Sequence, residues 1–250
     1  MPPIVIRDSL FESTGLLDNT SACIYSQNVG RISLFNVTLR YCNGTGVYLD
    51  EANNNTFTYL SAINTTYGIR FVDSNNTNVT NSTFINNSYG VYIDAAYSRL
   101  SRNNRFYYNN FTSNSVYHAY AGLSGNHFNT TVWSLLLGNV AQGNYWDNTI
   151  TLNIYDTNLD GFGDWGGQYP YNSTNGGIVS ENVTDWGPIT SKTPGVEGSI
   201  TIEGPNGTVL TGTRNVFLNL TYYSVVGVDR CRFANDAEGN LNSASWEECT

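Results

Sequence analysis

Three stretches of the chain recur at a spacing of 22 residues: Gly46-Val47-Tyr48-Leu49-Asp50, Gly68-Ile69-Arg70-Phe71-Val72-Asp73 and Gly90-Val91-Tyr92-Ile93-Asp94. A period of that length marks a repeat architecture, in which one unit cannot bury its own apolar face and stacks on its neighbours to do so. After the leading Gly, apolar and polar positions alternate, which is the period of a strand and not of a helix. Val47/Leu49, Ile69/Phe71 and Val91/Ile93 are therefore expected to point inward, and Tyr48, Arg70 and Tyr92 outward.

Asn, Ser and Thr fill the segments between these strands, as in Asn53-Asn54-Asn55-Thr56-Phe57, Asn75-Asn76-Thr77-Asn78-Val79 and Asn103-Asn104-Arg105-Phe106. Asn tolerates the left-handed backbone region and bonds its own main chain, which suits the corner between one short strand and the next. Each repeat thus reads as one coil of a solenoid. Looser copies, Ala22-Cys23-Ile24-Tyr25 on one side and Ser115-Val116-Tyr117 and Asn126-His127-Phe128 on the other, extend the array to an expected five to six coils. About three coils suffice for stability.

The G-V-Y-L-D and G-V-Y-I-D strands and the N-N-x-F/V corners resemble those of the right-handed parallel β-helix family, in pectate-lyase-like folds and more closely in surface and periplasmic proteins with NosD-like repeats. The resemblance covers about residues 5 to 140 and implies an all-β fold, with a parallel β-helix over 1–140. It says little about activity, because this architecture hosts many unrelated functions.

Charged residues are only 12% of the chain, Lys192 is its one lysine, and the net charge is -9. The basic footprint of a nucleic-acid binder is missing, and anionic lipid would repel the chain. No run approaches the 18 or so apolar residues of a membrane span. Solubility rests on neutral polar groups instead. Fifteen Asn-x-Ser/Thr sequons result, at Asn19, Asn36, Asn43, Asn54, Asn64, Asn75, Asn78, Asn81, Asn86, Asn110, Asn129, Asn172, Asn182, Asn206 and Asn219. They read either as glycosylation acceptors or as the by-product of Asn ladders in a chain rich in Asn and Thr.

Four cysteines fall in two local pairs, Cys23 with Cys42 and Cys231 with Cys249. Separations of 19 and 18 residues suit disulfides within a module and not a C-x-x-C metal or redox site, which points to an oxidising, extracellular setting. The first six residues lack a basic start and a long apolar stretch, so no secretory signal is read there, and the solenoid opens almost at once. A mature portion or fragment of something longer is the expectation.

Periodicity fades near Leu137, and residues 141–192 read as a cap. Within it, Asp156-Thr157-Asn158-Leu159-Asp160-Gly161-Phe162-Gly163-Asp164 follows the D-x-[DN]-x-[DN]-G pattern, in which oxygens at alternate positions converge on calcium and the Gly permits the turn. Asp156, Asn158, Asp160, the Phe162 carbonyl and Asp164 are the candidate ligands. Gly167 stands where a full EF-hand loop has its bidentate Glu, so weak, structural calcium is expected; a metal-free Asx turn is the alternative. Together with Gly143-Asn144-Tyr145-Trp146-Asp147 and Tyr169-Pro170, the loop resembles the terminal region of NosD-like proteins, many of them archaeal-type surface proteins. An insertion from Asn148 to Tyr155 puts Asp147 out of place as a ligand, while Tyr145 and Trp146 would plug the solenoid.

After the linker Thr193-Pro194-Gly195, strand patterns return at 199–202, 215–222 and 228–233. With Cys231, Trp246 and Cys249 they resemble an immunoglobulin-like sandwich, yet residues 193–250 fall short of the roughly 100 such a module needs.

For catalysis the candidates are Asp50 and Asp94, two coils apart and near 10 Å by strand spacing, with Asp73 offset between them, an arrangement that resembles the aspartates of polygalacturonases. No general acid or basic cluster accompanies them, and Asp at a strand end is an ordinary turn residue. Copper, which the NosD name brings to mind, needs soft or imidazole ligands; one Met, two His and paired cysteines do not supply a cluster. Tyr48, Arg70 and Tyr92 form a stripe able to stack on sugar rings, or simply on one another. The sequence therefore leads to an extracellular structural or adhesive protein of the cell surface, glycosylated and calcium-stabilised, with surface glycans or other surface-protein subunits as partners. A polysaccharide-cleaving enzyme or glycan-binding module is the alternative.

Overall fold

The computed structural model describes residues 3–12, 21–95, 100–130 and 141–194, and beyond them the backbone of four strands. The chain divides into two compact units, residues 1–192 and 193–250. In the first, two parallel sheets face each other along a solenoid, and no helix of the described residues is long and apolar enough to cross a membrane.

Numbered in chain order, one sheet runs β1 (Ile4–Glu12), β3 (Ile32–Arg40), β5 (Thr56–Ile63), β8 (Thr83–Ile85), β11 (Asn110–Thr112) and β13 (Tyr145–Trp146), with β7 (Asn78–Thr80) beside β5 and β10 (Arg105–Tyr107) beside β7. The other runs β2 (Ala22–Gln27), β4 (Thr45–Asp50), β6 (Tyr67–Val72), β9 (Tyr89–Ile93) and β12 (Tyr117–Ala121). The repeated strands are β4, β6 and β9, paired Val47 to Ile69 to Val91 and Leu49 to Phe71 to Ile93, all six fully buried. The copy read at Ser115-Val116-Tyr117 corresponds to β12, which starts at Tyr117.

The leading Gly of each repeat answers to the stacking. A Cβ on Gly68 would run into the carbonyl oxygen of Gly90 and into Phe84, closer than real Cβ contacts come, and Gly46 meets Gly68 in the same way. Only a residue without a side chain lets consecutive coils approach there.

Corners recur as regularly. Residues with left-handed backbone stand at 51, 54, 59 and 64, then at 73, 76, 81 and 86, and again at 103, 108 and 113. The residue after such a corner is commonly a buried polar one whose side chain accepts the amide of its counterpart one coil earlier. Thr77 N–H donates to Asn104 Oδ1, Ser82 N–H to Asn109 Oδ1, Asn87 N–H to Asn114 Oδ1 and Asn109 N–H to Asn144 Oδ1, at 2.9 to 3.1 Å. Buried main-chain donors that strands cannot pair are satisfied this way.

Inside, an aromatic column fills the far end. Phe84 stacks on Phe111 (5.0 Å between centroids), Phe111 on Trp146 (4.5 Å) and Trp146 on Tyr171 (4.8 Å). Trp146 is the plug expected from the sequence; Tyr145 is not, since strand alternation turns it outward. The cap continues through a 3-10 turn (Asp147–Thr151) and a two-stranded antiparallel pair, β14 (Tyr171–Asn172) and β15 (Thr184–Asp185).

The second unit contains two antiparallel pairs, β16 (Val196–Glu203) with β17 (Phe217–Ser224) and β18 (Arg230–Arg232) with β19 (Trp246–Glu248). Asn219 lies on β17 and Cys231 on β18. Asn19, Asn206 and Cys249 are outside the described residues.

Candidate functional site

The outer face of the five-stranded sheet carries two rows of side chains, seven tyrosines and Arg70: strand alternation repeated in register sets one, and the first residues of successive strands set the other. One row is Tyr25, Tyr48, Arg70, Tyr92 and Tyr120; the other contains Tyr67, Tyr89 and Tyr117. Tyr92 and Tyr120 stack at 4.8 Å with rings 9° apart, and Tyr67 and Tyr89 at 5.2 Å. The Arg70 guanidinium lies 5.0 Å from the Tyr48 ring, 5.5 Å from Tyr67 and 6.0 Å from Tyr92, and its Nη2 is 3.3 Å from Asp94 Oδ2. The charge is thus caged by three rings and a carboxylate. Tyr48, expected to be outward and open, is only 8% exposed beneath Tyr25 and Arg70. Burial first, then Asp94, pushes the Tyr92 phenol up to about 12 while Arg70 pulls the other way, so Tyr92 is a neutral hydrogen-bonding group.

The three aspartates considered for catalysis are held in separate environments. Asp50 is buried and accepts from Gln27 Nε2 at 3.0 Å; Asp94 is engaged by Arg70 and by the Ala95 amide. Asp73 takes a left-handed turn conformation between them.

In the cap loop, each candidate calcium ligand serves the loop itself. Asp156 accepts the amides of Asp160 and Gly161, Asn158 Oδ1 that of Asp160, and Asp160 that of Phe162. Asp164 turns toward Thr157, accepting from its amide and its hydroxyl, while Phe162 bridges Ile189. Among the described residues no group of three or more His, Cys, Asp or Glu is placed to hold a metal ion.

The cap is fixed by residues that the sequence left inconspicuous. His118, 1% exposed, lies 3.1 Å from Asn114 Nδ2 through Nδ1 and 2.9 Å from Asp147 Oδ1 through Nε2. Asn114 Oδ1 already accepts the Asn87 amide, which orients its NH2 toward Nδ1 and assigns the ring proton to Nε2. Burial lowers the His118 pKa, against the pull of Asp147. Asp185 is fully buried and receives the amides of Asn144 and Gly187 and the indole N–H of Trp146, at 2.8 to 2.9 Å. Burial pushes its carboxyl up to about 7, overriding those hydrogen bonds. Neither pairing has a local sequence signal, since the partners are 29 and 39 residues apart.

At the other end, Cys23 and Cys42 form a disulfide, with Cα atoms 5.6 Å apart.

Two facing parallel sheets, polar ladders at the corners and glycines at the coil contacts define a parallel β-helix repeat protein. The chain belongs to the NosD family: the family model described as "Periplasmic copper-binding protein (NosD)" matches residues 5–150. No curated protein and no solved structure matches the chain significantly. The copper in that description does not fit the residues present. Both ring nitrogens of His118 are engaged, and Cys23 and Cys42 are joined. With two His, one Met and four Cys in the whole sequence, the described residues offer no cluster of soft or imidazole donors.

Proposed function

We propose that the chain is an exported structural or adhesive protein, a β-helical rod whose aromatic face contacts cell-surface glycans or other surface-protein subunits. The observation that carries this reading is the pair of outer rows formed by seven tyrosines and Arg70, because a core-facing demand explains inward aromatics but not seven set on the outer side of one sheet. The Cys23–Cys42 bond supports export, as does the periplasmic description of the family. The excess of acidic over basic residues speaks against polyanionic partners.

Calcium at residues 156–164 belongs to the same proposal and is supported by the sequence pattern; so does N-glycosylation, for which Asn36, Asn43, Asn54, Asn78, Asn81 and Asn86 are exposed. An immunoglobulin-like second unit is supported by its antiparallel pairs. The adhesive reading is tested by probing a glycan array and a panel of surface proteins with wild type and with Tyr92→Ala/Tyr120→Ala. Loss of binding in the variant is expected; unchanged binding by the variant, or no binding by wild type, overturns it.

A further inference from the structure

Beside the tyrosine rows, at the corner where each coil passes from the longer sheet into the shorter one, the side of the solenoid carries a shallow, open groove of about 410 Å³. Four consecutive coils line it: Asn43 from the first, Asn64 and Thr66 from the second, Asn86 and Ser88 from the third, and Ser115 from the fourth. None of these six side chains carries a charge. Their neighbours Thr65 and Asn87, turned inward, take part in the corner ladders, whereas these six form no hydrogen bond with the protein among the described residues. Donors and acceptors that point into a groove and have no protein partner are available to a ligand.

We propose that this corner groove is a binding site for a neutral, extended oligosaccharide. The claim rests on the adhesive reading above and names the subsite and the ligand class. Each coil advances about 4.8 Å along the rod, so successive coils present the same amide and hydroxyl set again at a spacing close to one sugar ring of an extended chain. A neutral polyol matches uncharged amides and hydroxyls group for group. An acidic glycan would place a carboxylate in a groove without a cation to pair it, on a chain whose net charge is already -9. The array is long enough for several rings, and the row of Tyr67 and Tyr89 begins at the next residues along.

Titration calorimetry with neutral gluco-, manno- and galacto-oligosaccharides of two to four units, and with uronate oligosaccharides of the same length, tests this on wild type, Thr66→Val/Ser88→Ala/Ser115→Ala and Tyr92→Ala/Tyr120→Ala. The substituted hydroxyls face outward, and an unchanged melting temperature confirms that the variants fold. The expected result is saturable binding of at least one neutral series, weakened at least tenfold by the triple hydroxyl variant, and no binding of uronates. Binding that survives the triple variant but is lost with the tyrosines overturns the groove and leaves the adhesive reading intact. Preference for uronates overturns the ligand class, and absence of all glycan binding overturns the groove and the glycan part of that reading together. A glycan found attached at Asn43, Asn64 or Asn86 in the native protein would fill the groove and equally overturn it.

Discussion

The indole nitrogen of Trp146 donates a 2.9 Å hydrogen bond to Oδ2 of Asp185, with both side chains sealed from solvent. The plug of the β-helix is thereby tied to the last strand of the cap, and the tie is a carboxylate at the end of the ladder that passes through Ser82, Asn109 and Asn144.

That carboxyl makes the cap sensitive to pH. Its folded pKa of about 7 lies above the unfolded value of 3.8, so between those values the folded state keeps a proton that the unfolded state has released. Stability therefore falls as pH rises from about 4 to about 7 and levels above, by up to about 4 kcal/mol. His118, whose pKa is lowered, gives the opposite slope below its ordinary value, so the contrast is drawn between proteins. Chemical denaturation of wild type and Asp185→Asn across pH 4 to 8 is expected to show the difference in stability shifting in favour of the variant as pH rises. A difference constant with pH would remove Asp185 from this role.

Gly68→Ala should be costly although it adds one methyl group. The new Cβ meets backbone of the next coil and the Phe84 ring, and parallel pairing on both sides leaves the strand little room to shift. Overpacking of this kind costs about 1–3 kcal/mol. Alanine at Gly167, where nothing lies within reach, is the control. Equal melting temperatures for the two variants would contradict the packing account.

Removing the disulfide with Cys23→Ser/Cys42→Ser frees a segment of 19 residues at the first coils. Loop-closure entropy for that length is worth about 3 kcal/mol. In a solenoid the loss should stay local. Hydrogen exchange is expected to speed up in β2 and β4 and hardly at all in β12; uniform acceleration along the rod would show that the coils unfold as one unit.

Calcium is predicted to raise the melting temperature. If the loop at 156–164 binds in the millimolar range, a tenfold excess over the dissociation constant adds about 1.4 kcal/mol. Differential scanning calorimetry in calcium and in chelator, with Asp156→Asn as control, measures it. Identical melting in both buffers would mean that the Asx hydrogen bonds close the loop unaided.

What the sequence made legible was whatever repeats. The 22-residue period, the inward positions Leu49, Phe71 and Ile93, and the Asn-rich corners all follow from one rule applied coil after coil. The reason for Gly68 was less accessible, because it lies in how close the next backbone comes and not in the turn that a Gly usually signals. Corners occupied by Tyr59 and Tyr108, which adopt the left-handed conformation without an Asn side chain, also gave no local cue. The cap was least legible. His118 meets Asp147, and Trp146 meets Asp185, only after the chain has folded back over the end of the rod, and nothing periodic announces either contact.

The corner ladders skip 22 residues between Asn55 and Thr77 but 27 between Thr77 and Asn104, and the stacking is the same in both. Each coil is therefore pinned at its corners as well as along its strands, and a coil five residues longer keeps the same rungs as its neighbours. Such a rod can acquire new surface loops by insertion at one station at a time, which gives variation a place to act while the shaft stays constant.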